Sequence, residues 1–447
     1  MKRVLLIHYH FLPVHHVGVK HLLGHATHLP ASGWEPTVLT KAWREPGSDD
    51  EPWGLSWEPD LEARPGVPSI HRVPEPAHRS LRLPRRDDGV VLRKALTLGH
   101  MIAGHYPDAF VRWIDAAVEA AADLHRRTAF DAILSYCPPE TNVVVGSRLA
   151  RRLGIPWVVS FGDLYGFHLP ARQTTPGAVV RAATHRSWMR PAARCVAVSP
   201  AMVSYLQQTY GVPSELVLVG FDEGEFAGRA PDRDPGRMVI SHVGSIYPHA
   251  QRPEVLFDGL DLFLDRHPEA AARLVVRLVG TKSDAALTAM IHGRPSASVC
   301  EVRPKVASPK AIDLVRGSDA LVAFGLRESH GLGTLSYPSK VFEAFAAGHP
   351  LLVIGSDGDW VDQLLMDTNG GESADDATGV AHVLADWHER WRTTGEAGRA
   401  GARDVIAGFT HAAQSRRLAA ALDAALVPRP RVRTPAASPA VRSRYPG

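Results

Sequence analysis

The sequence predicts an α/β protein of two doubly wound domains in tandem, which face each other across a cleft. Short apolar runs alternate with amphipathic stretches through residue 219, a pattern typical of parallel strands covered by helices on both faces. The alternation breaks over 228–236, which is rich in glycine, proline and charge, and a second series begins at Met238. Because doubly wound sheets bind ligands at the carboxyl ends of their strands, we expect the site in the cleft between the domains.

The length of the chain agrees with this division. Its 447 residues are enough for two domains of about 200 residues, each with its own core. We expect a first domain over 1–227, a linker over 228–236 and a second domain over 237–426, whose last helix returns to the first domain. Residues 427–447 are rich in proline and arginine and have few apolar side chains, which predicts a disordered tail.

The elements of both domains follow from the same kind of pattern. In the first domain we expect helices over 113–126 and 141–153, the second of which ends at Gly154 with Pro156 just beyond. The apolar runs that predict strands in the first domain are 4–7, 37–40, 132–135, 157–160, 195–198 and 216–219. Those of the second domain are 238–241, 274–279, 320–324 and 351–354.

Charge and cysteine content exclude several classes of protein. The 50 basic and 47 acidic side chains are too evenly balanced for a protein whose main partner is a nucleic acid. The three cysteines form no Cys-x-x-Cys pair, so we expect neither a disulfide framework nor a zinc knuckle, and a reduced, cytoplasmic setting. The first apolar run is interrupted by His8 and His10, which predicts a buried strand rather than a signal peptide or a spanning helix.

Basic residues concentrate in the segment 72–94, which contains six arginines and one lysine. One interpretation is a solvated loop. The other is contact with a phosphorylated acceptor or with an anionic membrane surface, which would place the protein peripherally at the inner face of the membrane.

The stretch 337–350, YPSKVFEAFAAGHP, carries the clearest ligand pattern. Ser339 and Lys340 stand at the predicted start of a helix, where unpaired N–H groups bind anions, and Pro338 fits the first turn. Glu343 follows one turn later, and Gly348 ends the helix before a strand. A phosphate-binding helix end with a nearby carboxylate suits a nucleotide sugar, although a helix of this kind also occurs with a purely structural role.

The same stretch resembles the donor-binding segment of the retaining glycosyltransferases of family 4, which have the GT-B fold of two Rossmann-like domains. Other segments resemble that family in the same order along about residues 1–410. They are GWEPTVLT at 33–40, CPP at 137–139, IPWV at 155–158, VSP at 198–200, GFD at 220–222 and HVGSIY at 242–247.

This resemblance implies a metal-independent enzyme that transfers a sugar, with retention, from a nucleotide diphosphate sugar to a hydroxyl acceptor. It implies no further cofactor, an acceptor-binding first domain and a donor-binding second domain. Ser339 and Lys340 would bind the diphosphate, and Glu343 the ribose. The other donor-binding positions that it implies are Gly244, Ser245, Arg252 and Lys282. The acceptor would be a saccharide, a lipid-linked saccharide or a small natural product, in polysaccharide or natural-product biosynthesis.

Two departures from the family concern candidate catalytic residues. Many members carry two glutamates with seven residues between them, but Leu335 stands where the first is expected, and Glu328 in a glycine-rich loop is the replacement candidate. Members also carry a His-Asp or Arg-Asp pair after a strand of the first domain; here Asp163 is kept and Gly162 precedes it. Asp163 is therefore expected to orient an acceptor hydroxyl, or else to cap a turn.

Seven of the 23 histidines fall within the first 28 residues. The resemblance places His15, His16 and Gly18 in a loop that faces the cleft, and His21 where relatives often have arginine, so we expect these residues to contact acceptor or donor phosphate. His21 also shares a helix face with two further histidines, a geometry that can hold zinc. Because no carboxylate lies nearby and the family needs no metal, we expect no metal site; the remaining alternative is a polar surface.

Two rival functions are compatible with the fold that the sequence predicts. A nucleotide-sugar epimerase on the same fold would need acid and base residues around the sugar, and the sequence contains no such set. A scaffold without transferase activity is compatible with Leu335 and Gly162, although Lys340 and Glu343 argue against it.

Overall fold

The structure is a computed structural model. It describes residues 1–44, 55–76, 89–92, 107–164, 176–228, 231, 235–326, 339–356, 360–398 and 401–427. Several predictions therefore lie outside the described residues: Glu328, Leu335 and Pro338, most of the basic segment 72–94, the middle of the linker and all but the first residue of the tail.

The first domain is built on a parallel sheet of seven strands. In sheet order the strands are β5 (Ser69–Val73), β3 (Trp34–Lys41), β1 (Lys2–Ile7), β6 (Ala132–Cys137), β7 (Trp157–Phe161), β8 (Arg194–Ala197) and β9 (Ser214–Leu216). A separate antiparallel pair joins β2 (Val14–His15) to β4 (Ser56–Trp57). The helices are α1 (Val17–His28), α2 (Trp113–Arg127), α3 (Glu140–Leu153), α4 (Pro176–Met189) and α5 (Pro200–Tyr210).

The second domain has a parallel sheet of six strands. Its order is β12 (Cys300–Arg303), β11 (Leu274–Val279), β10 (Met238–Val243), β13 (Ala320–Phe324), β14 (Leu351–Ile354) and β15 (Gly371–Ala374). A short helix, α6 (Glu223–Phe226), precedes it. Its other helices are α7 (Pro253–Arg266), α8 (Asp284–Ile291), α9 (Ser308–Arg316), α10 (Lys340–Ala347), α11 (Trp360–Thr368), α12 (Ala377–Thr394) and α13 (Arg403–Ile406). The last helix is α14 (His411–Leu426).

Both sheets begin in the middle, grow toward one edge and then continue from the first strand toward the other edge. The reversal falls between β1 and β6 in the first domain and between β10 and β13 in the second. This order defines the Rossmann-like doubly wound sheet, in which ligands bind outside the strand ends at the reversal. The predicted α/β class with two such domains is confirmed.

The sheets are buried on both faces because their strands are apolar on both sides. In β1, Leu5 and Ile7 pack in one core cluster while Val4 and Leu6 pack in another on the opposite face. Each of these four side chains is fully buried. The continuous apolar runs of the sequence therefore correspond to strands that are covered by helices on both sides.

Two differences from the expected strands have local causes. The last run of the first domain was expected over 216–219, but β9 ends at Leu216 because the Leu218 N–H donates to the side chain of Gln414 at 2.8 Å. The strands β5, β12 and β15 were not predicted. Their residues are partly exposed, so their sequences lack the continuous apolar character that marks the central strands.

The chain crosses between the domains twice, and the two crossings pair with each other. Phe221 donates its N–H to the carbonyl of Phe409 at 3.2 Å, and His411 donates to the carbonyl of Phe221 at 2.7 Å. After the second crossing, α14 packs on the first domain, where Leu418 and Leu422 join a core cluster with side chains of α1. In the part of the chain that the structure describes, no helix is long and apolar enough to cross a membrane.

Candidate functional site

A cleft of about 940 Å³ lies between the two domains. It opens at the carboxyl ends of β1 and β10, next to both reversals of strand order. Nine of the predicted site residues line it: His15, His16, Asp163, Gly244, Ser245, Lys282, Ser339, Lys340 and Glu343. The structure therefore brings together residues that the sequence separates by more than 300 positions.

The start of α10 and the turn after β10 form one wall of the cleft. Ser339 precedes the helix and makes no side-chain capping bond, so its hydroxyl does not occupy the N–H groups of the first turn. Gly244 has a φ of 141°, and a Cβ at this position would lie 2.7 Å from Cε of Lys340 and 3.1 Å from its Nζ. A glycine is thus required here, and the lysine side chain lies directly against the backbone of Gly244.

Lys340 and Glu343 form an ion pair in this wall, with 3.0 Å between Nζ and Oε2. Burial alone would raise the pKa of Glu343, but the charges of Lys340 and Lys20 and the hydrogen bond from Lys340 hold this pKa below its usual value. The carboxylate is therefore ionised at neutral pH, in the form that accepts hydrogen bonds from a diol.

Lys20 of α1 brings a second cation to the same carboxylate from the opposite domain. Burial would lower the pKa of Lys20, but the charges of Glu343, Glu225 and Asp222 and a hydrogen bond to Glu225 raise it. Its Nζ lies 2.7 Å from Oε2 of Glu225. The negative charge of Glu343 is consequently stabilised by ammonium groups from both domains.

Two further lysines line the cleft beyond this pair. Lys282 has a φ of 59°, a left-handed conformation that costs a non-glycine residue about 1 kcal/mol or more. Lys305 follows β12, and its Nζ donates to Oγ of Ser56 across the cleft at 3.3 Å. Arg252 precedes α7 but does not line the cleft; the neighbouring Gln251 does, and Gln251 was not predicted.

The first domain contributes histidines and carboxylates to the other wall. His15 lies 3.2 Å from Oε1 of Glu58, and its hydrogen bond is the main cause that lowers the pKa of that carboxyl. The Nδ1 of His16 accepts the N–H of Gly18 at 3.1 Å and so caps α1. Gly18 was expected in this loop but does not line the cleft. It is buried, and a Cβ at this position would lie 2.9 Å from the ring of His16.

His21 also lies behind the cleft wall, since its ring is engaged inside the domain. Its Nδ1 is 3.3 Å from the hydroxyl of Tyr136, and its Nε2 is 3.2 Å from the carbonyl of Leu218 and 2.9 Å from Nε2 of His25. His25 in turn contacts Oγ of Ser415 at 3.1 Å. These histidines therefore connect α1 to β6, to the first crossing and to α14.

The alternative that the early histidines form a polar surface is wrong for three of them. His8, His21 and His25 are at most 1% exposed. Burial lowers the pKa of His21 to about 4 and the pKa values of His8 and His25 well below 6.5, so all three are neutral at neutral pH. Within the described residues, no group of three or more His, Cys, Asp or Glu side chains is arranged to hold a metal ion.

Asp163 follows β7 and lines the cleft on the side of the first domain. The preceding residue, Gly162, cannot carry a side chain because the hydroxyl of Tyr136 fills the space beside it. Burial raises the pKa of Tyr136, and the negative charge of Asp163 raises this pKa further.

Lys20, Lys305 and His242 also line the cleft, and none of the three was predicted from the sequence. One signal was available for the lysines. The chain has 42 arginines but only eight lysines, and four of the eight line this cleft, whereas Arg64 is the one arginine among the described lining residues. The few lysines of the chain are thus concentrated at the cleft, where a compact ammonium can face a ligand. His242 gave no such signal, because its role depends on neighbours distant in sequence.

Comparisons with known proteins agree with this architecture. Residues 18–220 match the family described as glycosyl transferase 4-like domain. No curated protein sequence matches the chain. Among solved structures, Alr3699/HepE from Anabaena in complex with UDP-glucose matches with a TM-score of 0.60 and 13% identity over 95% of this chain and 100% of its own.

Two other solved structures have similar scores. A glycosyltransferase from Rickettsia africae matches with a TM-score of 0.61 and 12% identity over 95% of this chain and 98% of its own. A sucrose-phosphate synthase from Thermosynechococcus elongatus matches with a TM-score of 0.57 and 14% identity, covering 95% and 97%. At these identities the likeness concerns the fold, and it confirms the expected GT-B arrangement.

Proposed function

Because residues 18–220 match the family described as glycosyl transferase 4-like domain, we propose that this chain is a glycosyltransferase that moves a sugar from a nucleotide diphosphate sugar to a hydroxyl acceptor. The observation that carries this proposal is the wall formed by Gly244, Lys340 and Glu343. It combines a helix start without a side-chain cap, an ammonium and an ionised carboxylate in a cleft of about 940 Å³.

The diphosphate and the ribose of a nucleotide sugar each have a chemically suitable partner in this wall. The diphosphate is assigned to the backbone at Gly244 and Ser245, the start of α10 and Lys340, because these groups offer donors and positive charge. The ribose hydroxyls are assigned to Glu343. Lys282 and Lys20 add positive charge beside the leaving diphosphate, which stabilises the charge that develops there as the glycosidic bond breaks.

We further propose that transfer proceeds with retention and without a metal or another cofactor. The proposal that no metal is needed is supported by the four lysines around the cleft, since these cations offset the charge of a leaving diphosphate. Retention is what the resemblance to family 4 implies. Asp163 is assigned the acceptor hydroxyl because it lines the opposite wall. In a front-side transfer the departing phosphate takes the proton of that hydroxyl, so Asp163 orients it rather than serving as the obligatory base.

The acceptor class is a saccharide, a lipid-linked saccharide or a small natural product. For a lipid-linked acceptor we propose that a cytoplasmic protein contacts the inner face of the membrane through the segment 72–94. In its described part, Val90, Val91 and Leu92 are 59%, 83% and 49% exposed, an apolar group beside basic residues. Sedimentation with vesicles of phosphatidylserine, but not of phosphatidylcholine, would support this contact, and Val91→Asp should weaken it.

The experiment that tests the function is a binding and turnover screen. The purified chain is mixed with the UDP, GDP, dTDP and ADP forms of common sugars, and its thermal unfolding and the release of nucleotide are measured. Stabilisation by one nucleotide class, with release of that nucleotide, is expected. Stabilisation without release under any acceptor mixture would favour the scaffold, and recovery of an intact nucleotide sugar whose sugar is inverted at one carbon would favour an epimerase.

A further inference from the structure

His242 carries a buried nitrogen whose hydrogen-bonding capacity is unused. The residue lies at the end of β10, lines the cleft and is 3% exposed. Its Nδ1 is 2.9 Å from the carbonyl oxygen of Val322 on β13. A carbonyl only accepts, so Nδ1 carries the proton and Nε2 presents a lone pair. Among the residues that the structure describes, Nε2 has no hydrogen-bond partner.

The ring is neutral under ordinary conditions. Burial lowers the pKa of His242 to about 4; the hydrogen bond to Val322 opposes this shift, and the charge of Lys340 adds to it. The backbone groups of Gly244 and Ser245 lie near the same ring and, like the carbonyl of Val322, raise the pKa of His242, but neither lies in hydrogen-bonding geometry to Nε2. His242 is therefore a buried acceptor without charge, located at the reversal of strand order in the second domain.

Lys340 is the cation that acts on this histidine. A Cβ built on Gly244, two residues after His242, would lie 3.1 Å from Nζ of Lys340, so the ammonium lies in the immediate surroundings. An ammonium has three N–H donors. The hydrogen bond described for it goes to Glu343 at 3.0 Å, which leaves donors for a second acceptor and for a ligand.

We propose that His242 is a positioning residue, whose Nε2 accepts a hydrogen bond from Lys340 and holds the ammonium over Gly244 when a nucleoside diphosphate occupies the cleft. The proposal rests on the proposed function. Ribose hydroxyls that bind Glu343 compete with Lys340 for this carboxylate, and His242 provides the replacement acceptor. Because its ring is neutral, it does so without a negative charge that would repel the diphosphate.

Direct contact between His242 and the ligand is the competing explanation. It is less favoured because Nε2 itself has almost no accessible surface, although the ring lines the cleft. The ammonium of Lys340 already lies beside Gly244, two residues after His242, whereas a ligand hydroxyl has to enter from the cleft.

Two substitutions separate the nitrogens of His242. His242→Asn retains a donor near the position of Nδ1 and removes the acceptor at Nε2. His242→Gln places an amide oxygen near Nε2 and gives up the bond to Val322. If the proposal holds, titration with UDP shows about tenfold weaker binding for the variant His242→Asn and near wild-type binding for His242→Gln. Thermal stability follows the opposite order, with Gln the less stable variant, so a loss of folding cannot mimic the binding result.

A double-mutant cycle then identifies the partner of His242. His242→Asn should weaken UDP binding in the wild-type background and have no further effect beside Lys340→Ala, since both act through one ammonium. Additive losses would overturn the proposal in favour of ligand contact, and unchanged affinity of His242→Asn would overturn it outright. If the wild-type chain binds none of UDP, GDP, ADP and dTDP, the proposed function fails first, which distinguishes the two failures.

Discussion

The hydroxyl of Tyr136 occupies the space that a side chain at residue 162 would need. A Cβ on Gly162 would lie 2.0 Å from this oxygen and 2.6 Å from the Cζ to which it is bonded. Tyr136 is held in place by stacking on His8, with 5.1 Å between ring centroids, and by the contact of its hydroxyl with His21. The glycine before Asp163 is therefore a requirement of packing.

Gly162→Ala should destabilise the protein by about 3 kcal/mol, because neither the tyrosine ring nor the strand end can move without disturbing buried neighbours. Chemical denaturation measures the effect. Gly408→Ala is the matched control, since a Cβ there meets nothing within 4 Å. Equal stability of the two variants would show that Tyr136 yields easily and that the glycine has another role.

Lys340→Ala should weaken binding of the preferred nucleoside diphosphate at least tenfold, because a charge-assisted hydrogen bond to phosphate is lost. Glu343→Ala should have a similar effect through the ribose. Lys310→Ala removes an exposed lysine that does not line the cleft and should leave the affinity unchanged. If Lys340→Ala binds as tightly as Lys310→Ala in calorimetric titration, the assignment of the donor site is wrong.

Asp163→Asn should separate binding from transfer. The substitution keeps the size of the side chain but removes its charge on the wall opposite the donor residues, so nucleotide affinity should remain within about twofold. The release of nucleotide from the donor should fall about a hundredfold, because the acceptor hydroxyl loses the group that orients it. Loss of affinity with unchanged kcat would place Asp163 with the donor instead.

Two substitutions of Lys282 should have the same effect on nucleotide binding but different effects on stability. Lys282→Gly and Lys282→Ala both remove the ammonium and should weaken nucleotide binding equally. Only glycine relieves the strain of a φ of 59°, so the glycine variant should be about 1 kcal/mol more stable than the alanine variant. Equal stability in urea would mean that the left-handed conformation is not retained in solution.

The buried and half-buried histidines near the start of the chain should make the protein sensitive to acid. In the unfolded chain they titrate near pH 6.5, whereas burial lowers the folded-state pKa of His16 and His21 to about 4 and of His10 to about 3. The unfolded state thus binds more protons below pH 6.5. Stability is highest above that pH and falls as the pH drops toward 4, by up to about 1.4 kcal/mol per unit for each such histidine.

His8→Phe tests this cause directly, because neither nitrogen of His8 has a hydrogen-bond partner among the described residues and the ring size is nearly conserved. Its midpoint of thermal unfolding should fall less between pH 7 and pH 5 than that of the wild-type protein. The exposed His382 supplies the control, since His382→Gln should leave the pH dependence unchanged. Parallel curves for all three proteins would assign the acid sensitivity to other groups.

Much of the fold could be predicted because its central strands carry their signal locally. Residues 274–279, 320–324 and 351–354 are apolar on both faces, and each forms a strand with the expected bounds. The helix that ends at Gly154 was predicted for the same reason, since its stop signal is a left-handed glycine with a φ of 68°. Edge strands such as β5 were not predicted, because their exposed residues interrupt the apolar pattern.

The sequence by itself determined the two doubly wound domains, the glycine-closed helix α10 and the presence of Lys340 and Glu343 at its start. Only the tertiary structure decided that Lys20 meets Glu343 from the other domain, that His21 turns inward and that His242 presents an unused nitrogen beside Lys340. Periodicity and turn chemistry act between near neighbours and are readable in the sequence. Burial, charge and hydrogen-bond partners depend on residues that are brought together only when both domains fold.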